Sequence, residues 1–320
     1  MNTKLHRLLV RRALAAGIAA GLATFAPASL AWSQEEETGI SAFAAKDEPP
    51  AYDNAEAAVE AFMEALVADD VDRLAGVLGL DAARLKADDA TMQSYADIRA
   101  SAAEQVVVEE FDDRALIDLG AALWPFPFPV VKTEDGKWAF DTYAGLEEIV
   151  NRRVGGNELE AIATMRAYLE AQHDYASQDR DDDGVLEYAQ KLISSEGATD
   201  GLYWPSESGS AASPAGEFVD QASLDTAAKG DGYFGYHFRI LAGQGDRIAG
   251  GAYDYVINDN MIAGFGLVAW PARYGETGVQ SFMVNQNGTI YEADLGAATD
   301  AIVKYVDRFN PDESWNVVGD

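Results

Sequence analysis

Cysteine is absent from all 320 residues, so no disulfide staples the fold and no lipidated cysteine anchors the chain to a membrane. Histidine is scarce, with three residues in the whole chain, which leaves no clustered metal-binding histidine motif. Basic residues number 23 against 54 acidic ones, a formal net charge of -31. A surface of that sign repels nucleic acid and anionic lipid, attracts cations and stays soluble. No segment beyond the N-terminus reaches the roughly 18 uninterrupted apolar residues that a spanning helix needs. Neither a nucleophile elbow nor a phosphate-binding glycine loop is present. These absences leave an acidic protein that must hold itself together with a packed core, without a ready-made catalytic signature.

The N-terminus carries the clearest pattern. Lys4, Arg7, Arg11 and Arg12 precede an apolar stretch over residues 13–26, and Ser29-Leu30-Ala31 puts small residues where a signal peptidase reads. This order predicts a signal peptide over 1–31, cleavage near Ala31 and a periplasmic or secreted mature protein; general secretion and the twin-arginine route both suit the Arg11-Arg12 pair. Removal of the segment takes four basic and no acidic residues, so the mature chain is more acidic still.

Residues 32–50 show no sustained period and end in Pro49-Pro50, which reads as a linker. An N-terminal α+β region is expected over 51–150. Val59, Phe62, Met63, Leu66 and Val67 make one helical stripe capped by Asp53 or Asn54, and a second helix ends at Gly79. "WPFPFP" forces an extended path that places Trp124, Phe126 and Phe128 on one side, most simply as core, and Asp135-Gly136 turns a strand hairpin.

The C-terminal part, 151–320, is expected to start with an interruption at Gly155-Gly156. A long helix follows, capped by Asn157, with Leu159, Ile162, Met165, Leu169 and Ala176 as its stripe. His173 lies beside that stripe as a packing residue. Alternation in "YFGYHFRIL" puts Phe234, Tyr236, Phe238 and Ile240 on one face and His237 on the other, more exposed than His173. Further strands separated by turns make an antiparallel meander that the helix covers on one face, and a last helix spans 300–309. The whole is α+β, faintly like the head of pilin-like exported proteins.

Between the long helix and the meander stands "DRDDDGVLEYAQ". Set on the twelve-position calcium loop, Asp179, Asp181 and Asp183 take the first, third and fifth positions. Gly184 takes the sixth, Val185 the seventh with its carbonyl, and Glu187 the ninth. Gln190 stands at the twelfth, where a bidentate glutamate normally closes the site. Two readings stand: a weak calcium loop between two helices, or a solvated turn built from the same Asp and Gly. The Ser/Gly/Ala/Pro-rich stretch 206–216 reads as a loop.

The ordered pieces "WPFPFP", "RRVGGNELEAI", "AQHDYA", "EYAQKLISSEGATDGLYWP", "FRILAGQG", "GGAYDYV" and "GFGLVAWPARYGETGVQSFMVNQNGTIYEADLG" resemble an exported bacterial family known as domain of unknown function 2950. The resemblance implies export but no activity, substrate or catalytic residue. It also implies an aromatic more often at the position of His237, and another exported or envelope protein as partner. A non-catalytic binding or accessory protein is therefore expected. The alternative is a periplasmic hydrolase using paired carboxylates among Asp141, Glu147, Glu148 and Glu158.

Overall fold

The computed structural model describes residues 39–205 and 212–319. The expected signal peptide over 1–31, the linker stretch 32–38 and loop positions 206–211 lie outside the described residues. Within the expected linker, a 3-10 turn at Ile40–Phe43 buries Ala42, and Ala45 N donates to Gly79 O at 2.8 Å.

Local side chains begin and end the first helices. Asn54 caps α1 (Ala55–Val67) by accepting from Ala57 N at 2.8 Å, and Asp70 caps α2 (Val71–Leu78) by accepting from Arg73 N at 2.9 Å. Gly79, at φ +69°, supplies the left-handed turn that stops α2. Helices α3 (Ala82–Ala87) and α4 (Asp89–Glu104) follow, each capped by an aspartate, Asp81 and Asp88. On α1 the buried stripe runs through Val59, Phe62 and Leu66, whereas Val67 is 80% exposed, because one residue further turns the side chain about 100° away.

Strands β1 (Val106–Glu110), β2 (Arg114–Leu119), β3 (Trp124–Pro125), β4 (Val130–Lys132) and β5 (Trp138–Phe140) form an antiparallel sheet of order β1-β2-β4-β5, with β3 added to β2. The Asp135-Gly136 turn joins β4 to β5 as expected. Phe126 and Phe128 are core, their ring centroids 5.5 Å apart and Phe126 lying 4.8 Å from Phe62. Trp124 stays partly exposed beneath the Arg152 guanidinium, 5.3 Å from its ring.

The expected interruption at Gly155-Gly156 does not occur. Helix α5 runs unbroken from Thr142 to Tyr175, 34 residues and about 50 Å long, and its cap is Asp141. Two helical glycines cost roughly 1–2 kcal/mol together. Burial at both ends outweighs that. Leu146 and Ile149 belong to the core under the first sheet, and Ala161, Met165, Tyr168 and Tyr175 to a second core. Just past the glycines, Asn157 is no cap. Its Nδ2 donates to Thr277 O at 2.9 Å, and Glu158 accepts from Val279 N and Gln280 N, both at 2.9 Å. Residue 150, the expected limit of the N-terminal region, thus falls inside a helix that both cores share, and the described residues make one compact unit.

After α5, helix α6 (Gln221–Ala228) precedes β6 (Tyr236–Leu241); the short pairs β7 (Gly243–Gln244) with β8 (Tyr253–Asp254) and β9 (Val256–Ile257) with β10 (Asn260–Met261) then intervene. Strands β11 (Gly266–Pro271), β12 (Gln280–Asn285) and β13 (Tyr291–Asp294), helix α7 (Thr299–Val303) and β14 (Asn316–Val317) complete the chain. The second sheet, β14-β13-β12-β11-β6, is antiparallel throughout.

Alternation divides its residues between two cores. Leu267, Ala269, Phe282 and Val284 face α5, while Val268, Met283 and Leu241 face a second cover made by Phe309, Val306 and Trp315. The C-terminal segment is therefore a lid on the outer face. Its helix stops at Val303, short of the expected 309, and leaves Phe309 free to pack.

The buried side of α5 also differs from expectation. It runs through Ala161, Met165, Tyr168, Gln172 and Tyr175, at helical spacing, and Leu159 is 69% exposed. Tyr168 and Gln172 are buried because their polar ends find partners. Tyr168 OH donates to Gly266 O at 3.1 Å, and Gln172 Nε2 donates to Ala189 O at 2.9 Å.

Candidate functional site

The acidic stretch leaves the C-terminal end of α5 and turns tightly, with Asp182 at φ +61° and Gly184 at φ +87°. Only glycine adopts the latter without strain. The turn brings one carboxylate oxygen each from Asp179, Asp181 and Asp183 within 4.8 Å of one another, all three exposed. Backbone donors reach all three side chains: Gly184 N donates to Asp179 Oδ2 at 2.9 Å, Val185 N to Asp183 Oδ1 at 2.7 Å and, more weakly, Asp183 N to Asp181 Oδ1 at 3.4 Å.

No ion pair reaches these three carboxylates among the described residues. Arg180, the only cation in the loop, turns away and lies under cover, its guanidinium 5.0 Å from the Tyr175 ring and 5.6 Å from that of Trp204, with Nε donating to Tyr175 O at 3.1 Å.

Glu187 lies outside the cluster of three. Its Oε2 accepts from Met261 N at 3.0 Å, and Asp183 Oδ2 accepts from Asn260 Nδ2 at 2.7 Å, so the loop is tied to β10. Burial, followed by the nearby Asp181 and Asp183 charges, raises the Glu187 carboxyl above its ordinary value. Gln190, at the closing position, donates its amide to Asp259 O at 2.6 Å.

The second helix expected after the loop is absent. Tyr188 N donates to Met261 O at 2.9 Å, both backbone groups of Ala189 bond to Gln172, and Ser194 N donates to Tyr203 O at 2.8 Å. With those groups already paired to distant strands and side chains, no helix can form over 188–194. The loop therefore links a helix to a β-bridge and does not make a helix-loop-helix hand.

Three of the four carboxylates of the hydrolase reading, Asp141, Glu148 and Glu158, serve separate structural contacts. Asp141 is the α5 cap, Glu148 pairs with Arg152 at 2.7 Å, and Glu158 binds the start of β12. Asp141 and Glu158 stand about 25 Å apart along one helix. His173 is exposed, with Nδ1 2.7 Å from Leu169 O and its ring edge-on to Phe265, while His237 is half-buried against Trp270 with ring centroids 5.5 Å apart. The expected order of exposure is thus reversed, because the C-terminal segment covers the outer face where His237 lies.

Beside the loop, a polar hollow is lined by Arg180, Asp181, Glu187, Lys191 and Asp200. Asp200 accepts from Lys191 Nζ at 2.5 Å, from Ser195 N at 2.7 Å and from Ser195 Oγ at 2.9 Å. The Lys191 hydrogen bond foremost, then the Ser195 N–H, holds its carboxyl down at about 2. A carboxyl depressed on folding stabilises the fold above its unfolded value near 3.8 and loses that contribution as pH falls through about 2. Asp200→Asn is therefore expected to lower Tm by a few degrees at pH 6, with the gap to the wild type closing between pH 4 and pH 2 in parallel melts. A pH-independent gap would contradict the assignment.

One feature has no local signature in the sequence: a hollow between α5, β6 and α6 where α5 presents Thr164, Ala167 and Ala171. The only hint is small side chains at helical spacing facing large ones across the gap.

No curated protein and no solved structure matches the chain. The sequence model of the family described as protein of unknown function (DUF2950) matches residues 50–318, which takes in the first helix, both sheets and the acidic loop. The chain belongs to the DUF2950 family.

Proposed function

We propose that this chain is an exported, non-catalytic binding or accessory protein of the envelope or extracellular space, in which the 179–187 loop takes calcium as a structural clip. The observation that carries the reading is the convergence of Asp179, Asp181 and Asp183 without a cation of the protein's own. Three like charges so placed repel one another, and a divalent ion relieves that repulsion together with the cost of ionising Glu187. The Val185 carbonyl and Glu187 would complete the oxygen set. Clipping the loop would join the end of α5 to β10 through Asp183–Asn260 and Glu187–Met261. A neutral amide at Gln190 weakens such a site towards the roughly 0.1–1 mM range of extracellular modules. The partner is then another exported protein.

Calcium at ten times its Kd should stabilise the fold by about 1.4 kcal/mol, a rise in Tm of roughly 3–5 °C at constant ionic strength. Asp181→Ala should lose most of that rise and Gln190→Glu should tighten the affinity. Equal responses of wild type and Asp181→Ala to calcium would leave the acidic run a solvated turn. Export is tested separately: intact-mass measurement of material from the native host should show a chain starting after Ala31, and a mass that includes Met1 would refute cleavage.

A further inference from the structure

The hollow beside α5 is an apolar cavity of about 290 Å³. Its floor is helical. Where α5 packs on the sheet it uses Met165 and Tyr168, and toward the cavity it offers Thr164, Ala167 and Ala171 beside one side of the Tyr168 ring. Across the gap stand Tyr236, Phe238 and Leu267 of the second sheet. The roof is α6, which buries none of its residues, and Leu224 and Ala227, three apart on one of its faces, line the cavity. A short amphipathic helix thus spends its apolar face on empty space. Larger residues at 167 or 171 would have closed the gap, as they do elsewhere on α5.

The chemistry of the lining selects the occupant. Among the described residues no lysine, arginine, aspartate or glutamate lines the cavity and His237 is its one basic side chain, so a cationic ligand has no counter-charge there and an anionic one has at most that imidazole. The overall charge of -31 disfavours anions further. The tyrosine hydroxyls are already engaged: Tyr168 with Gly266 O at 3.1 Å, Tyr236 with Gln280 O at 2.9 Å, Tyr203 with Gln221 Oε1 at 3.2 Å and Tyr233 with Asp220 N at 2.9 Å. The Thr164 hydroxyl makes no hydrogen bond among the described residues, which leaves it to a single polar group of a ligand. Water would find few partners here. The volume is about twice that of an apolar cavity known to hold one benzene ring, of roughly 150 Å³. Rings of Tyr168, Phe218, Tyr233, Tyr236 and Phe238 around the space suit edge and face contacts with another aromatic system.

We infer that this cavity is a binding site for a neutral aromatic molecule of about two fused rings carrying one hydroxyl or carbonyl, held by the apolar walls and oriented by Thr164. The inference goes beyond the calcium clip and does not depend on it.

The test uses 2-naphthol as the neutral probe and 2-naphthoate at pH 8 as its anionic counterpart, titrated into the purified exported protein and followed by calorimetry. One saturable site for 2-naphthol is expected, with 2-naphthoate at least tenfold weaker. Ala167→Phe, which fills the cavity from the floor, should weaken 2-naphthol at least tenfold, and Thr164→Val should weaken it about threefold. Leu224→Trp fills the cavity from the half-exposed roof and decides the matter if Ala167→Phe does not fold. The inference is overturned if 2-naphthol shows no saturable binding, if 2-naphthoate binds as tightly, if 1-decanol binds where 2-naphthol does not, or if folded filling variants bind like the wild type.

Discussion

Replacing Gln172 with leucine is expected to destabilise the fold by about 3 kcal/mol, seen as a fall in Tm of roughly 5–10 °C. Gln172 is fully buried on α5 and works as a two-way clasp. Its Oε1 accepts from Ala189 N at 2.8 Å, while its Nε2 donates to Ala189 O at 2.9 Å and to the Tyr168 hydroxyl at 3.0 Å. Ala189 is 1% exposed, so in the leucine variant both of its backbone groups stay out of reach of water and lose their only side-chain partner. Leaving a buried donor or acceptor unpaired costs about 1–3 kcal/mol each. Leucine returns only part of that through apolar contact at a site already packed. Gln172→Glu should be worse, since it removes the donor and adds a charge that nothing nearby neutralises. The same clasp closes the segment that carries the acidic loop, so amide exchange over 176–190 should speed up in Gln172→Leu while exchange in the β1–β5 sheet stays unchanged. A leucine variant as stable as the wild type would show that 188–190 are held by the β10 contacts alone.

The features readable from sequence are those whose causes are local. Asn54 and Gly79 announce helix ends through a side chain and through φ, and the structure places helix ends at both. Asp135-Gly136 likewise needs only its neighbours to make a hairpin, and the alternation in "GLVAW" and "QSFMVN" already separates the two faces of the second sheet. The misreadings have distant causes. Gly155-Gly156 looks like a break because the local penalty is visible, whereas the two cores that hold α5 on either side are built by the first sheet and its helices before it and by β12 more than a hundred residues after it. Gln172 and Tyr168 look like solvent residues by type, and only Ala189 and Gly266 explain their burial. The run after Gly184 has the apolar content of a helix, but its backbone is claimed by Met261 and Tyr203. Of the candidate site, the three aspartates and the turning glycine could be read from spacing. The cavity could not, because an unfilled volume belongs to no single segment.

Within α5 the same substitution should have opposite signs at two positions. Gly145→Ala is expected to destabilise by about 2–4 kcal/mol, a fall in Tm of roughly 10 °C, although alanine is the better helix former by about 1 kcal/mol. A β-carbon at Gly145 would fall inside the ring of Phe128, which is 4% exposed and wedged against Phe126 in the core of the first sheet. That ring cannot rotate clear without leaving its site. Unseating a buried phenylalanine costs about as much as truncating it, roughly 3–5 kcal/mol, so the clash outweighs the propensity gain. At Gly155 and Gly156 an added β-carbon meets nothing within 4 Å, so only the propensity remains. Gly155→Ala and Gly156→Ala should each stabilise by about 0.5–1 kcal/mol. Chemical denaturation of the three variants side by side separates the two effects, because a helix that truly broke at Gly155-Gly156 would gain nothing from alanine there. If Gly145→Ala is as stable as the wild type, Phe128 is not seated against α5, and the close approach of helix and first sheet described above is wrong.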